Sequence, residues 1–137
     1  MSAKVLWYGA QFHKLVDAHI RKELTRIAFE YERNLQASFR EKKTGLIYRI
    51  GRTRRHRASS PGESPAIMFA TLTKSVRFEI SKLGPLVYRL VIGSTLEKIP
   101  AWLEFGTRFM KPRPAWRPTY DGMRRKLRLK PMRNAKG

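Results

Sequence analysis

The sequence contains no cysteine, which excludes a disulfide framework and any zinc site built on thiolates. It has no apolar run near the roughly 18 to 20 residues that a membrane-spanning helix needs, and its start, MSAKVLWYGAQFHK, lacks the apolar centre of a signal peptide. A soluble protein made in the cytoplasm is the expectation. Acids are scarce too: 10 Asp and Glu stand against 30 Lys and Arg, a formal net charge of +20. So few carboxylates offer no obvious cluster to hold Mg²⁺ for chemistry on phosphates. The strings HExxH, GxxxxGK[ST] and GxSxG are missing. His13 and Asp17, four apart on a helical stretch, read as a surface pair, His19 as a packed residue beside an apolar stripe, and His56 as one residue in a basic loop. Glu30 and Glu32 fall on different helix faces. The expectation is a protein with no catalytic residues, cofactor or metal.

What is present is length for one core and a large positive charge. A chain of 137 residues, 42% hydrophobic, is long enough for one domain, 1–137, and too short for two ordinary ones. A charge of +20 exceeds the ~2 to 8 that solubility asks of a small domain, so a polyanionic partner is implied. No internal repeat is evident.

Apolar residues at Phe12, Val16, Ile20, Leu24, Ile27, Tyr31, Leu35 and Phe39 step by three and four, predicting one long amphipathic helix that ends before Thr44-Gly45. At 1.5 Å per residue it would reach about 40 Å, more than a core of this size needs, so part of it is expected to pack on a neighbouring subunit. Leu46 to Ile50 reads as a strand. Gly51 to Arg57 holds Arg52, Arg54, Arg55 and Arg57 and no acid, and with the polar run on to Pro65 it reads as a mobile basic loop over about residues 51–66 that orders on a partner. Ser75–Ser81 and Leu86–Ile92 read as a β-hairpin turning at Lys82-Leu83-Gly84-Pro85, in need of a helix on its apolar face. The first helix can supply it.

Next comes AWLEFGTRFMKPRPAWRP, Ala101 to Pro118. A short helical turn carrying Trp102, Leu103, Glu104 and Phe105 stops at Gly106, and Pro112, Pro114 and Pro118 stiffen the rest of this segment into a strap. A C-terminal helix is predicted to start at Pro118, with Asp121 in its first turn, a stripe of Tyr120, Met123 and Leu127, and Arg124, Arg125, Lys126 and Arg128 at its end. Residues 132–137 read as a frayed tail. Glu104 among Trp102, Leu103 and Phe105 needs a positive partner or hydrogen-bond donors, and Arg113 and Arg117 are the nearest cations in sequence. Trp102, Trp116 and Tyr120 could be stacking platforms for bases, but beside Leu and Met they read better as packing residues. The fold class expected is α+β: a long N-terminal amphipathic helix on a small antiparallel sheet, with the helical turn, the strap and a C-terminal helix closing one edge.

Two strings carry a resemblance. Leu103-Glu104-Phe105-Gly106-Thr107 with Met110, Arg113-Pro114 and Arg117-Pro118 resembles the LEFGT…M-x-x-RP-x-x-RP signature of a phage tail-component family. Upstream, Ala58-Ser59-Ser60-Pro61-Gly62-Glu63-Ser64-Pro65-Ala66 is similar to the same family's AS-x-PGE-x-PA loop. The family commonly continues with a glycine-containing turn, whereas Ile67 to Leu72 has no glycine. The resemblance implies a structural protein of the phage neck: a tail-completion, head-tail joining subunit in a ring, commonly hexameric, through which double-stranded DNA passes. It implies as partners other copies of the chain, neighbouring neck and tail proteins, and DNA met without sequence preference, and no membrane. It places the chain in the host cytoplasm during assembly and then in the virion. Trp102, Leu103, Glu104, Phe105, Gly106, Arg113, Pro114, Arg117 and Pro118 would serve packing and assembly. Arg52, Arg54, Arg55 and Arg57 would meet either DNA or an acidic protein. The alternative is a basic nucleic-acid-binding protein without catalytic activity, although no RNP1-type string or helix-turn-helix is evident.

Overall fold

The computed structural model describes residues 9–67 and 70–127. Helix α1 spans Gly9–Arg40. Strands β1 (Ile47–Ile50) and β2 (Arg54–Arg57) form one antiparallel pair. A single helical turn, α2 (Thr71–Lys74), leads into β3 (Val76–Gly84), which pairs antiparallel with β4 (Val87–Ser94). The short helix α3 (Ile99–Phe105) and, beyond the strap, α4 (Trp116–Lys126) complete the chain's described elements. The fold is α+β.

The core gathers at one end of α1. Tyr31, Leu35 and Phe39, four residues apart, turn the same face inward and meet Val76 of β3, Ala115 just before α4 and Met123 within α4, with Ile27, Leu72, Ile92, Trp116 and Leu127 packed around them. Phe29 meets Phe78 edge-on at 5.3 Å, so the apolar face of the β3–β4 hairpin rests on α1, as the hairpin requires for stability. The first turns of α1 run on past this core, and there Phe12 and Leu15 are 62% and 72% exposed. A clasp holds that end to the hairpin: Asp17 accepts from Lys82 Nζ at 2.8 Å and from the Tyr88 hydroxyl.

Several expectations are corrected. The sheet is two separate two-stranded pairs. The arginine stretch expected as a mobile loop contains β2, because its backbone completes a ladder with β1 whatever its side chains prefer, and 58–66 is held by hydrogen bonds to Leu46, Pro112 and Thr44. The hairpin reverses at Pro85-Leu86, with Gly84 still paired to Val87, and Leu86 takes φ 57. Helix α4 starts at Trp116 rather than Pro118, and Asp121 falls mid-helix. His19 is exposed rather than packed, and Asp17 turns to Lys82 and Tyr88 across the fold. The expected tail, 132–137, lies outside the described residues.

Candidate functional site

Helix α3 ends at Gly106, whose φ of 78 is open to glycine and costly for other residues. A side chain there would also strike the chain: a Cβ would stand 2.8 Å from the Met110 carbonyl oxygen and 2.9 Å from Pro112. Thr107 and Met110 exchange backbone hydrogen bonds in the reversal after α3, and the Arg113 N–H donates to the Leu103 carbonyl at 2.6 Å. The strap therefore doubles back along α3.

This return brings the start of α4 onto Glu104. Its Oε2 accepts the N–H groups of Ala115 at 2.9 Å and Trp116 at 3.0 Å, and Oε1 accepts that of Arg117 at 2.8 Å. The next residue, Pro118, has no N–H, and Thr119 already donates to the Ala115 carbonyl. Every donor that a helix start leaves unpaired is accounted for by one carboxylate and one proline. The negative charge also sits at the positive end of the α4 dipole. Glu104 is thus a capping group from eleven residues upstream, held by backbone donors; the guanidinium groups of Arg113 and Arg117 do not pair with it. Arg113 Nε is buried without a partner, and the Arg117 guanidinium lies 5.7 Å over the Phe105 ring. Tyr31 closes the inner side, donating to the Trp116 carbonyl at 2.8 Å, and its phenol is pushed well above its ordinary pKa by burial and then by the charge of Glu104.

The upstream string docks on the same strap. Ser60-Pro61-Gly62-Glu63 is a turn closed by the Glu63 N–H on the Ser60 carbonyl at 3.1 Å, with Gly62 at φ 88 as a type II turn demands. The Gly62 N–H then donates to the Pro112 carbonyl at 3.0 Å, joining the two strings. Glu63 accepts from the Thr44 hydroxyl, the Ser60 N–H at 2.9 Å and the Thr44 N–H at 3.2 Å, and these donors hold its carboxyl below the usual carboxylate pKa. Lys43, only 7% exposed, reaches under the loop to the Ser38 carbonyl at the end of α1 and to the Ser64 hydroxyl, and burial lowers its pKa. An open cleft of about 440 Å³ lies between α1, this loop and α4, with Lys43, Glu63, Ser64 and Met123 among its walls. Among the described residues no three His, Asp or Glu stand together as metal ligands.

The outer face of α3 is apolar and uncovered. Ile99, Trp102 and Phe105, three residues apart, are 46%, 49% and 67% exposed, and Phe109 in the reversal is 92% exposed. Of the residues expected to serve packing or assembly, Trp102 and Phe105 leave packing within the chain to the inward side of the turn, where Leu103 and Glu104 are half-buried. Trp116 is half-buried against Tyr31, their rings 6.3 Å apart, which fits packing rather than an open stacking platform.

The basic residues form a ribbon. Arg54, Arg55 and Arg57 lie on β2, Arg52 at its turn, and β1 adds Arg49, directly opposite Arg55. All five are exposed, and among the described residues none has a carboxylate partner; Arg57 donates to the Gly45 carbonyl alone. Arg49 was not singled out in the sequence because it sits in an otherwise apolar strand, and only the β1–β2 register sets it beside the others. The roles of Glu63 and Lys43 also escaped the sequence, although a carboxylate closing a Pro-Gly turn was a usable signal. Compared with protein-family models, curated proteins and solved structures, the chain finds no match in any of the three.

Proposed function

We propose that this chain is a structural protein of the phage neck, a tail-completion subunit that joins head to tail in a homo-oligomeric ring, most simply a hexamer, around double-stranded DNA. The observation that carries the reading is the contact between the two strings that resemble the family, Gly62 on the Pro112 carbonyl, beside a second string that Glu104 closes on itself at the start of α4. Strings that serve one function as a unit should meet in space, and these do. The uncovered apolar face of Ile99, Trp102, Phe105 and Phe109 and the projecting first turns of α1 support contacts with other copies or with neck and tail proteins. The mechanism is docking of complementary surfaces with a basic lining for DNA, and no bond is made or broken. The site residues proposed for assembly are Trp102 and Phe105, while Leu103, Glu104, Gly106, Arg113, Pro114, Arg117 and Pro118 shape the turn and strap behind them.

Electron microscopy of virions or tails bearing the labelled chain tests this. A ring of density at the neck is the expected result, and a neck without the label refutes it. Six copies at +20 each would bring about 120 positive charges together, so the free chain should be monomeric at low salt until partners or DNA neutralise it. The exposed arginines also favour a second reading, a free nucleic-acid-binding protein. Such a protein would bind nucleic acid yet be missing from purified particles.

A further inference from the structure

The β1–β2 pair is a two-stranded ribbon with an unusual distribution of charge. Its ladder is prolonged at the base by the Gly45 N–H on the Ala58 carbonyl and the Ala58 N–H on the Leu46 carbonyl. From that base to the turn it extends about 20 Å, at ~3.4 Å per residue. All of Ile47 to Arg57 is exposed apart from the half-buried Ile50 and His56. The ribbon stands out from the body.

Because side chains alternate across a ladder and opposed residues share a face, the register sorts the ribbon into two sides. Ile47, Arg49, Arg55 and Arg57 lie on one side; Tyr48, Ile50, Arg54 and His56 lie on the other, with Arg52 at the turn. Arg49 directly opposite Arg55 is a like-charge pair, which destabilises an isolated ribbon. An anion between or beside them reverses that sign. A flat acidic surface would meet one side and leave the other side's cation unpaired. Charges on both sides and at the turn fit a cleft whose two walls are both anionic.

We infer that the ribbon seats in the major groove of B-form duplex DNA, its arginines spread to the phosphates on both rims. That groove is ~12 Å wide and admits a two-stranded ribbon, whereas the minor groove at ~6 Å and the major groove of duplex RNA are too narrow to be entered by one. The contacts are to phosphate and carry no sequence preference, as DNA passing a neck demands. The inference rests on the proposed function in one respect, that DNA is the polyanion this chain meets.

The test uses the full chain and fluorescently labelled duplexes of about 20 base pairs, roughly two helical turns. Anisotropy titrations compare plain DNA, the same sequence as duplex RNA, and DNA whose cytosines are replaced by glucosylated hydroxymethylcytosine, which fills the major groove and leaves the phosphates alone. Plain DNA of unrelated sequences should bind equally, and both the RNA and the glucosylated DNA at least about tenfold more weakly. Replacing Arg49, Arg52, Arg54, Arg55 and Arg57 together by Gln should flatten the slope of log K against log salt by up to about 4.5, from ~0.9 per phosphate contact. A control set of exposed cations, Lys14, Lys22, Arg33, Arg40 and Lys42, changed to Gln should move it far less. Equal binding of plain and glucosylated DNA overturns the groove placement. An unchanged slope in the ribbon variant, or displacement of DNA by polyglutamate at equal charge, overturns the ribbon as a DNA contact. A ring at the neck together with an unchanged slope leaves the proposed function standing and removes this inference; groove binding without a ring does the reverse.

Discussion

Replacing Glu104 by alanine should cost the fold about 3 to 4 kcal/mol, most of it through one buried donor. The carboxylate receives three backbone N–H groups, from Ala115, Trp116 and Arg117. Loss of a helix cap usually costs ~0.5 to 2 kcal/mol, because water replaces the side chain on exposed donors. Arg117 is exposed and obeys that rule. Ala115 is 2% exposed, so its N–H stays dry when the carboxylate goes, and an unsatisfied buried donor costs ~1 to 3 kcal/mol more. Loss of the charge at the positive end of α4 contributes ~0.3 to 1 kcal/mol. Glu104→Gln keeps one oxygen for the Ala115 and Trp116 donors and gives up the charge and the third bond, so it should cost about 1 to 2 kcal/mol. Urea titration monitored by far-ultraviolet circular dichroism gives both values, provided the slope m is unchanged. Phe105→Ala is the control: at 67% exposed the ring should cost under about 1 kcal/mol, well below the ~3 to 5 of a buried phenylalanine. Glu104→Ala within about 0.5 kcal/mol of the parent would refute the capping account. So would a loss for Phe105→Ala that matched it.

Gly106→Ala should destabilise by about 2 kcal/mol or more, since positive φ and contact with the Met110 carbonyl both oppose a methyl group, and a thermal melt reads it directly. Leu86→Gly should be neutral or stabilising by up to ~1 kcal/mol, because a half-exposed leucine at φ 57 gives up strain and little burial; a fall in midpoint would contradict it. The Asp17 clasp should depend on pH at both ends. Hydrogen bonds from Lys82 and Tyr88 hold the Asp17 carboxyl below its ordinary 3.8, so its contribution is present above that value and lost as acid protonates it. Asp17 in turn raises the Lys82 amine above its ordinary 10.5, so that share persists below 10.5 and is lost as alkali removes the proton. Amide exchange in the first half of α1 should rise in acid, and Asp17→Asn should abolish that change.

Helix α1 was legible because its signal is local: apolar residues at steps of three and four stay on one face whatever surrounds them. The α3 stop at Gly106, the two hairpin strands and the basic end of α4 were legible for the same reason. Strand β2 was not, since its four residues are three arginines and a histidine, and only the ladder with β1 makes them a strand. The partner of Glu104 was equally hidden. Sequence pointed to Arg113 and Arg117 because charge is written in residue types, while the N–H groups that hold the carboxylate belong to every residue and acquire a position only when the strap folds back. The face of α3 was decided at the same step. Its sequence made Trp102, Leu103 and Phe105 equally apolar, and the side on which the strap returns covers Leu103 and leaves Trp102 and Phe105 in water. The sequence alone determined which segments are apolar and that the chain carries a formal charge of +20. Tertiary structure decided which of those residues remain open to another molecule, because exposure depends on what lies across the fold, and no local pattern encodes that.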